Sequence, residues 1–292
     1  MSEILILSTS AGPRSLRASL GYKIGRKFHL LLPLPPLPTG IRLPARNDHQ
    51  TIMFESYQNP YVVAHSPEDV RAGFIRKTYA HLAGAVAAFI AIEFLLFQIP
   101  GIEQKVFGLL GATPYSWLIV IGAWMFISWI AQKWAHSTTS LGMQYAGLGL
   151  FVVAEALIFL PLLLIVSSFA KQPELIAQAG IITGALFAGL TVIAFTTKKD
   201  FSFLGGVIKI AGFIAIGLIV ASIVIPGGFT LGIWFAAAMV LVAAASILYN
   251  TSNIIHHYGT TQYVAASLGL FASVALLFYY VLYILMSLSG RD

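Results

Sequence analysis

Two glutamates stand inside long apolar stretches of this 292-residue chain, and both could carry chemistry. An ionisable side chain in a lipid bilayer is costly, so it usually binds a proton or cation, or bonds a neighbouring helix. Glu93 lies about two turns from the end of its stretch and could extend its carboxylate to the membrane surface. Glu155 lies near the middle of its stretch, so we expect it to face the interior of a helix bundle, protonated or paired with a polar group.

Seven apolar stretches must position these carboxylates. Each is about 17 to 27 residues long, enough to cross a hydrocarbon layer of about 30 Å as a helix. The chain is 58% hydrophobic and 10% charged, whereas a soluble domain carries about 25% charged residues. The sequence therefore predicts an all-α membrane protein, a bundle of seven transmembrane helices. The predicted spans are Tyr79–Ile99, Tyr115–Ala131, Met143–Phe169, Leu175–Phe195, Phe203–Ile225, Phe229–Tyr249 and Tyr263–Leu288.

Several residue types that enzymes require are missing from these stretches. The chain has no cysteine, which excludes disulfides, thiolate metal sites and cysteine nucleophiles. The last stretch has no lysine for a retinal Schiff base, and no stretch has the aspartates of an intramembrane protease. A zinc hydrolase needs several ligands, but His81 is the only histidine in a stretch. The sequence predicts a protein that is not an enzyme and that holds no metal or cofactor.

The basic side chains predict the orientation of the helices, because cytoplasmic connections carry an excess of Lys and Arg. With alternating helices, one side of the membrane collects Arg71, Arg76, Lys77, Lys133, Lys198 and Lys199. The other side collects Lys105, Lys171 and Arg291. This distribution predicts a cytoplasmic N-terminus.

Residues 1–52 differ from the rest of the chain. They carry seven basic and two acidic side chains, so most of the net charge of +6 belongs to them and indicates no nucleic-acid surface on the membrane domain. Their Leu- and Pro-rich segment at 30–38 is too short to span a bilayer. We interpret 1–52 as a disordered extension, or as untranslated sequence upstream of a true start at Met53; a mitochondrial transit peptide is the alternative. Residues 53–78 are then a cytoplasmic lead-in and 79–292 the membrane domain.

Three further features carry structural expectations. Small residues at four-residue spacing predict close helix packing in the first and fourth stretches. They are Ala80, Gly84 and Ala88 in the first stretch, and Gly180, Gly184 and Ala188 in the fourth. Pro161 predicts a kink in the third stretch, one turn beyond Glu155. Adjacent His256 and His257 predict a titratable patch at the inner surface.

Three segments together resemble the Bax inhibitor-1 family, the transmembrane Bax inhibitor motif proteins, and particularly its bacterial YccA-like branch. The first is Phe74–Tyr79, which leads into the first stretch. The second, Ala194–Gly206, resembles the most recognisable loop of the family and includes Thr197, Lys198, Lys199, Asp200 and Phe201. The third is Tyr249–Thr251, followed by the aromatic-rich last stretch. The resemblance covers about residues 53–288, and we expect Asp200 to cap the fifth helix.

The resemblance implies a bundle whose last helix is wrapped by the others. In the leak-channel members, two aspartates in the last two helices share a proton and close a calcium pore. Here their positions match Asn250 and Ser273, which cannot ionise. An amide and a hydroxyl cannot attract Ca²⁺ as a carboxylate pair does, but they can bond each other. We therefore expect Asn250 and Ser273 to face each other near the cytoplasmic side.

Two functions follow from the resemblance. One is a regulator that binds other membrane proteins, such as a membrane-bound AAA protease. The other is a pH-sensitive cation leak, for Ca²⁺ in the family, that would here depend on Glu155 and Glu93. The resemblance also implies a bacterial inner membrane, with an organelle inner membrane as the alternative.

Overall fold

The structure is a computed structural model, which describes residues 62–137, 140–197, 199–225 and 229–290. The expectations for residues 1–61, Lys198 and Arg291 fall outside these residues. Within them, a short 3-10 turn over Val63–His65 precedes eight α-helices. These are α1 (Glu68–Phe97), α2 (Ile102–Leu110), α3 (Ser116–Ala135), α4 (Leu141–Leu164), α5 (Glu174–Thr196), α6 (Leu204–Val224), α7 (Ile233–His256) and α8 (Tyr263–Ser289).

Seven of these helices are long and apolar enough to cross a membrane: all except α2, with α4 continued by a π-helical turn over Ile165–Phe169. This confirms the predicted all-α fold with seven spans. The first span begins at Glu68 rather than at Tyr79, so it includes charged residues assigned to the lead-in. Glu68 and Asp69 occupy its first turn, where carboxylates interact favourably with the positive end of the helix dipole.

The helix α2 has no counterpart among the predicted spans. It follows Gly101, whose φ of 69° lies in the left-handed region that glycine adopts without strain. Its Phe107 ring contacts Phe169 edge to face at 5.0 Å, next to the π-helical turn. With nine residues it is too short to span, and it connects α1 to α3 at one end of the bundle.

The centre of the bundle is α8. It packs against α1, α4, α5 and α7, and more lightly against α3. Leu268, Leu270, Leu277 and Leu282 of this helix are fully buried. By contrast, α6 packs mainly on α7, and most of its apolar side chains point outwards; Phe213 is 78% exposed. The central position of the last helix agrees with the predicted architecture.

Pro161 is followed by a change of helix type. The α-helical form of α4 continues through Pro161 to Leu164 and then widens into the π-helical turn. Proline cannot donate to the carbonyl four residues earlier, so it weakens the regular ladder in this segment. In the π-helical turn, the Ser167 hydroxyl donates to the carbonyl of Leu163 at 2.8 Å. A π-helical turn therefore begins four residues after Pro161, and the kink at Pro161 itself stays a prediction.

The two predicted stripes of small residues do not lie at close contacts between the described helices. A Cβ added at Gly84, Gly180 or Gly184 would meet no atom within 4 Å, so these glycines bring no two described helices together. Among the described glycines, the tightest site is Gly147 of α4, where a Cβ would collide with the Ala135 nitrogen and the Ala131 carbonyl oxygen of α3. The prediction of packing stripes was wrong because spacing identifies a smooth face and not what lies opposite it.

One end of the bundle collects the start of α1, the α5–α6 connection and the α7–α8 connection. The Val63 N–H donates to the Tyr258 carbonyl at 3.0 Å, and Val62 forms an antiparallel bridge with Gly259. We name it the basic end, after Arg71, Arg76, Lys77, Lys133 and Lys199. Its cytoplasmic location is the prediction of the charge distribution.

Candidate functional site

The first candidate site joins α7 and α8 through Asn250 and Ser273. The Asn250 Nδ2 donates to Ser273 Oγ at 2.9 Å and to the Gly269 carbonyl oxygen at 3.1 Å. The Ser273 hydroxyl in turn donates to the same carbonyl at 3.0 Å. A Cβ at Gly269 would come within 2.9 Å of Asn250 Oδ1, so glycine makes room for the amide. The two side chains therefore lie together, as expected from the sequence.

This pair is neutral. Neither an amide nor a hydroxyl ionises in the physiological range, so the hydrogen bond keeps its form as pH changes. It also lacks the carboxylate oxygens that a calcium ion prefers. The contact can fasten α7 to α8, but it cannot act as a proton-sharing acid pair. That Asn250 and Ser273 occupy the aspartate positions of the leak-channel members stays a prediction of the family resemblance.

The second candidate site is the segment after α5, which is attached to the end of α7. Asp200 Oδ2 accepts from His257 Nε2 at 3.0 Å, and Asp200 Oδ1 accepts from the Ser252 hydroxyl at 3.1 Å. The Phe201 N–H donates to Ser252 Oγ at 2.9 Å. Lys199 lies in the same segment, and Thr197 closes α5 by donating to the Ile193 carbonyl at 2.6 Å.

The expectation that Asp200 caps the fifth span, which is α6, is wrong. The N-cap position of α6 is Phe203, and the helix start has no side-chain cap hydrogen bond. Asp200 instead bonds across to α7 and to the Ser202 N–H at 2.9 Å. Desolvation opposes ionisation of Asp200, but the bonds from Ser202, His257 and Ser252 prevail and lower its pKa to about 2. The carboxylate is therefore ionised at physiological pH.

The serine, histidine and aspartate of this cluster do not form a nucleophilic triad. His256 Nδ1 lies 3.0 Å from the Ser252 carbonyl oxygen, so it carries the proton and donates there. It therefore has no lone pair to accept the Ser252 proton, and that hydroxyl donates to Asp200. Ser252 is also buried, out of reach of a substrate. The cluster is a structural attachment.

The two intramembrane glutamates both face the interior. Glu93 is 6% exposed and Glu155 is 5% exposed. Glu93 therefore does not reach the membrane surface: it shares a face of α1 with Phe89, which packs in the apolar core. Both carboxyl oxygens of Glu93 are buried and lack a partner among the described residues. Glu155 takes part in no hydrogen bond among the described residues, so of its two expected states, protonated or bonded to a polar group, the polar partner is not observed.

A cluster that the sequence did not reveal joins α1, α4 and α8 at the basic end. His81 Nε2 lies 2.9 Å from the Tyr145 hydroxyl, and the rings of His81 and Tyr263 are 5.0 Å apart. Lys77 Nζ lies 5.4 Å from the centre of the Tyr263 ring. In the sequence, the spacing of Lys77 and His81 by one helical turn indicates only that they share a face of α1. The fold is needed to show that Tyr145 and Tyr263 lie beside them.

Comparisons with known proteins agree with this architecture. The model of the family described as "Inhibitor of apoptosis-promoting Bax1" matches residues 71–290. Bax inhibitor 1 of Schizosaccharomyces pombe is 26% identical over 239 residues, which cover 82% of this chain and 85% of that protein. The modulator of FtsH protease YccA of Escherichia coli is 35% identical over 124 residues, 42% of this chain and 55% of YccA.

An uncharacterized protein of Pseudomonas aeruginosa is 37% identical over 120 residues, 41% of this chain. The matched segments cover about half of that protein and of YccA, 53% and 55% of their lengths. The family match, by contrast, includes six whole spans, all but the first three residues of the other span, and both candidate sites. The chain therefore belongs to the Bax inhibitor-1 family of multi-span membrane proteins.

Proposed function

We propose that this chain is a regulator, not an enzyme, that acts by binding other membrane proteins in a bacterial plasma membrane; an organelle inner membrane is the alternative location. The observation that carries this proposal is the neutral hydrogen bond between Asn250 and Ser273. A proton-sharing carboxylate pair would open and close with pH, whereas an amide bonded to a hydroxyl holds α7 and α8 together at every pH. A permanently closed bundle suits a binding function.

The proposed partner class is a membrane-bound AAA protease. The support is the name of the relative YccA, a modulator of FtsH protease. Because the match covers about half of YccA, 55% of its length, the partner is a proposal and not a property of this chain. Association within the membrane would use the outward apolar faces of the helices, where van der Waals packing and interhelical hydrogen bonds hold spans together.

Two measurements test this function. Purified full-length chain should co-purify with FtsH in detergent and change the rate at which FtsH degrades a membrane substrate in proteoliposomes, with YccA as positive control. Liposomes with an enclosed Ca²⁺ dye should show no pH-dependent leak with the wild-type chain. The double variant Asn250→Asp, Ser273→Asp tests whether carboxylates at these positions introduce one. A wild-type leak, or absence of any effect on FtsH, counts against the regulator.

A second function, a pH-sensitive cation leak, is favoured by one observation: among the described residues, neither buried carboxyl oxygen of Glu93 has a partner. A carboxyl group without a protein partner in the core is available to a proton or cation. Under this function, Glu93→Gln and Glu155→Gln remove the charge, keep the shape and should abolish a wild-type leak.

A further inference from the structure

An open groove lies between α1 and α4. Its volume is about 480 Å³, within the range of roughly 300 to 1,000 Å³ that is typical of small-molecule sites. Its walls are small and apolar, formed mainly by Ala80, Gly84, Ala88, Gly149, Val152 and Val153. A Cβ added at Gly84 or Gly149 would meet no atom within 4 Å, so neither wall is covered by another described part of the chain.

One end of this groove is polar. His81 and Tyr145 line it and face each other across the gap between α1 and α4, with His81 Nε2 2.9 Å from the Tyr145 hydroxyl. His81 Nδ1 lies 2.7 Å from the Lys77 carbonyl oxygen, so Nδ1 carries a proton and donates to it. In neutral His81, Nε2 then accepts from Tyr145. The groove thus changes from apolar to polar at the basic end.

Two basic side chains continue the line of the groove. Arg76 precedes Ala80 by four residues and Lys77 precedes His81 by four, so both lie one turn beyond the lining residues, on the same side of α1. Lys77 is held there over the Tyr263 ring at 5.4 Å. An amphiphile lying in the groove would therefore place its tail among small apolar side chains and its head beside two positive charges.

We propose that this groove binds an anionic phospholipid, with an acyl chain between α1 and α4 and the phosphate against Arg76 and Lys77. Charge complementarity selects this occupant, because basic pockets between transmembrane helices at the cytoplasmic side bind anionic headgroups. A partner helix could cover the small residues but would bring no anion to the two cations. The apolar part offers no hydrogen bonds, so it does not hold ordered water. This binding is independent of the proposed protease partner.

The test is native mass spectrometry of the full chain with equal amounts of phosphatidylglycerol and phosphatidylcholine. The wild type should retain phosphatidylglycerol preferentially. Lys77→Gln and Arg76→Gln should each weaken that retention about fivefold, since a cation near the membrane surface contributes an effect of about this size. Gly84→Leu adds a side chain on the groove wall, where its Cβ meets no atom within 4 Å, and should reduce retention of both lipids. Gly149→Leu adds a side chain on the α4 wall and should have the same effect. It takes the place of Gly84→Leu in the test if the Gly84→Leu protein does not accumulate.

Two matched variants keep the test specific. Gly184→Leu changes an equally open glycine on α5, outside the groove. Lys133→Gln removes a cation that also lies over an aromatic ring, Trp129, at 5.4 Å, but not beside the groove. Both should bind lipid like the wild type. Equal retention in Gly84→Leu and Gly184→Leu overturns the proposal. So does a wild-type dimer that Gly84→Leu converts to monomers without loss of lipid, because the groove then holds a second copy.

Discussion

The two sides of α4 contrast sharply although the same helix forms both. Towards α3 the helices touch backbone to backbone at Gly147, where no added atom fits. Towards α1 they separate into an open groove at Gly149, only two residues further along, where an added Cβ meets nothing. A two-residue step turns a helical side chain by about 200°, so the two glycines face opposite neighbours. A glycine in a membrane helix can therefore lie at a tight helix contact, as Gly147 does, or beside open space, as Gly149 does.

Gly147→Ala should have the largest effect on stability. The new methyl group would collide with backbone atoms of Ala131 and Ala135, which cannot rotate away as a side chain can. Overpacking of this kind costs about 3 kcal/mol. The measurement is unfolding of the purified chain by SDS titration. A variant as stable as the wild type would mean that α3 and α4 do not approach as closely as described.

Glu93→Leu should change stability in the opposite direction. Both carboxyl oxygens are buried and have no partner in the part of the chain that the structure describes, and an unsatisfied buried polar group costs about 1 to 3 kcal/mol. A leucine of similar size removes this cost, so the variant should unfold at higher SDS than the wild type. Glu93→Gln should gain less, because its amide remains unsatisfied. Destabilisation by leucine would indicate a partner for Glu93 outside the described residues.

Asn250→Ala tests a second closed contact, between α7 and α8. The substitution removes the bonds to Ser273 and to the Gly269 carbonyl. Interhelical hydrogen bonds in membranes are worth roughly 1 kcal/mol each, so a loss of about 1 to 2 kcal/mol is expected in the same titration. Asn250→Asp at high pH should lose a similar amount, since a carboxylate has no N–H to donate. Wild-type stability in both variants would contradict the fastening role.

Gly149→Ala should stabilise the chain slightly, in contrast to Gly147→Ala. The added methyl group enters the open groove, and alanine favours the helix over glycine by about 1 kcal/mol. The pair of variants measures the contrast between the two sides of α4 within one helix. Equal destabilisation by both alanines would show that the α1 side is closed as well.

The smallest effect should be the pH dependence of the Asp200 attachment. Its pKa of about 2 is lower than the unperturbed value of 3.8, so its contribution is complete above pH 3.8 and is lost as pH falls through about 2. Asp200 and His257 are 43% and 49% exposed, so solvent weakens the pair. Thermal melts should differ between wild type and Asp200→Asn at pH 5 and converge towards pH 2. A difference in melting temperature that grows towards pH 2 would contradict this prediction.

The sequence predicted the seven spans, the all-α class and the family, because each depends on local information. A run of apolar residues longer than the bilayer is thick becomes a helix wherever it lies, since only a helix satisfies its backbone in lipid. The proximity of Asn250 and Ser273 came from the family resemblance, and the structure places them at hydrogen-bond distance, 2.9 Å. The start of α1 was missed because its charged first turn reads as soluble sequence.

The tertiary structure alone decided which glycines touch a neighbour, where Asp200 bonds and what surrounds Glu93. Each answer depends on the helix that lies opposite, and the sequence of one helix does not specify which other helix packs against it. Asp200 illustrates this: an aspartate shortly before α6 suggests a cap in the sequence, yet in the structure it accepts hydrogen bonds from Ser252 and His257 of a distant segment. The sequence by itself determined that the chain forms membrane helices, because apolar length is local; their pairing determined the sites, because a site consists of contacts between helices.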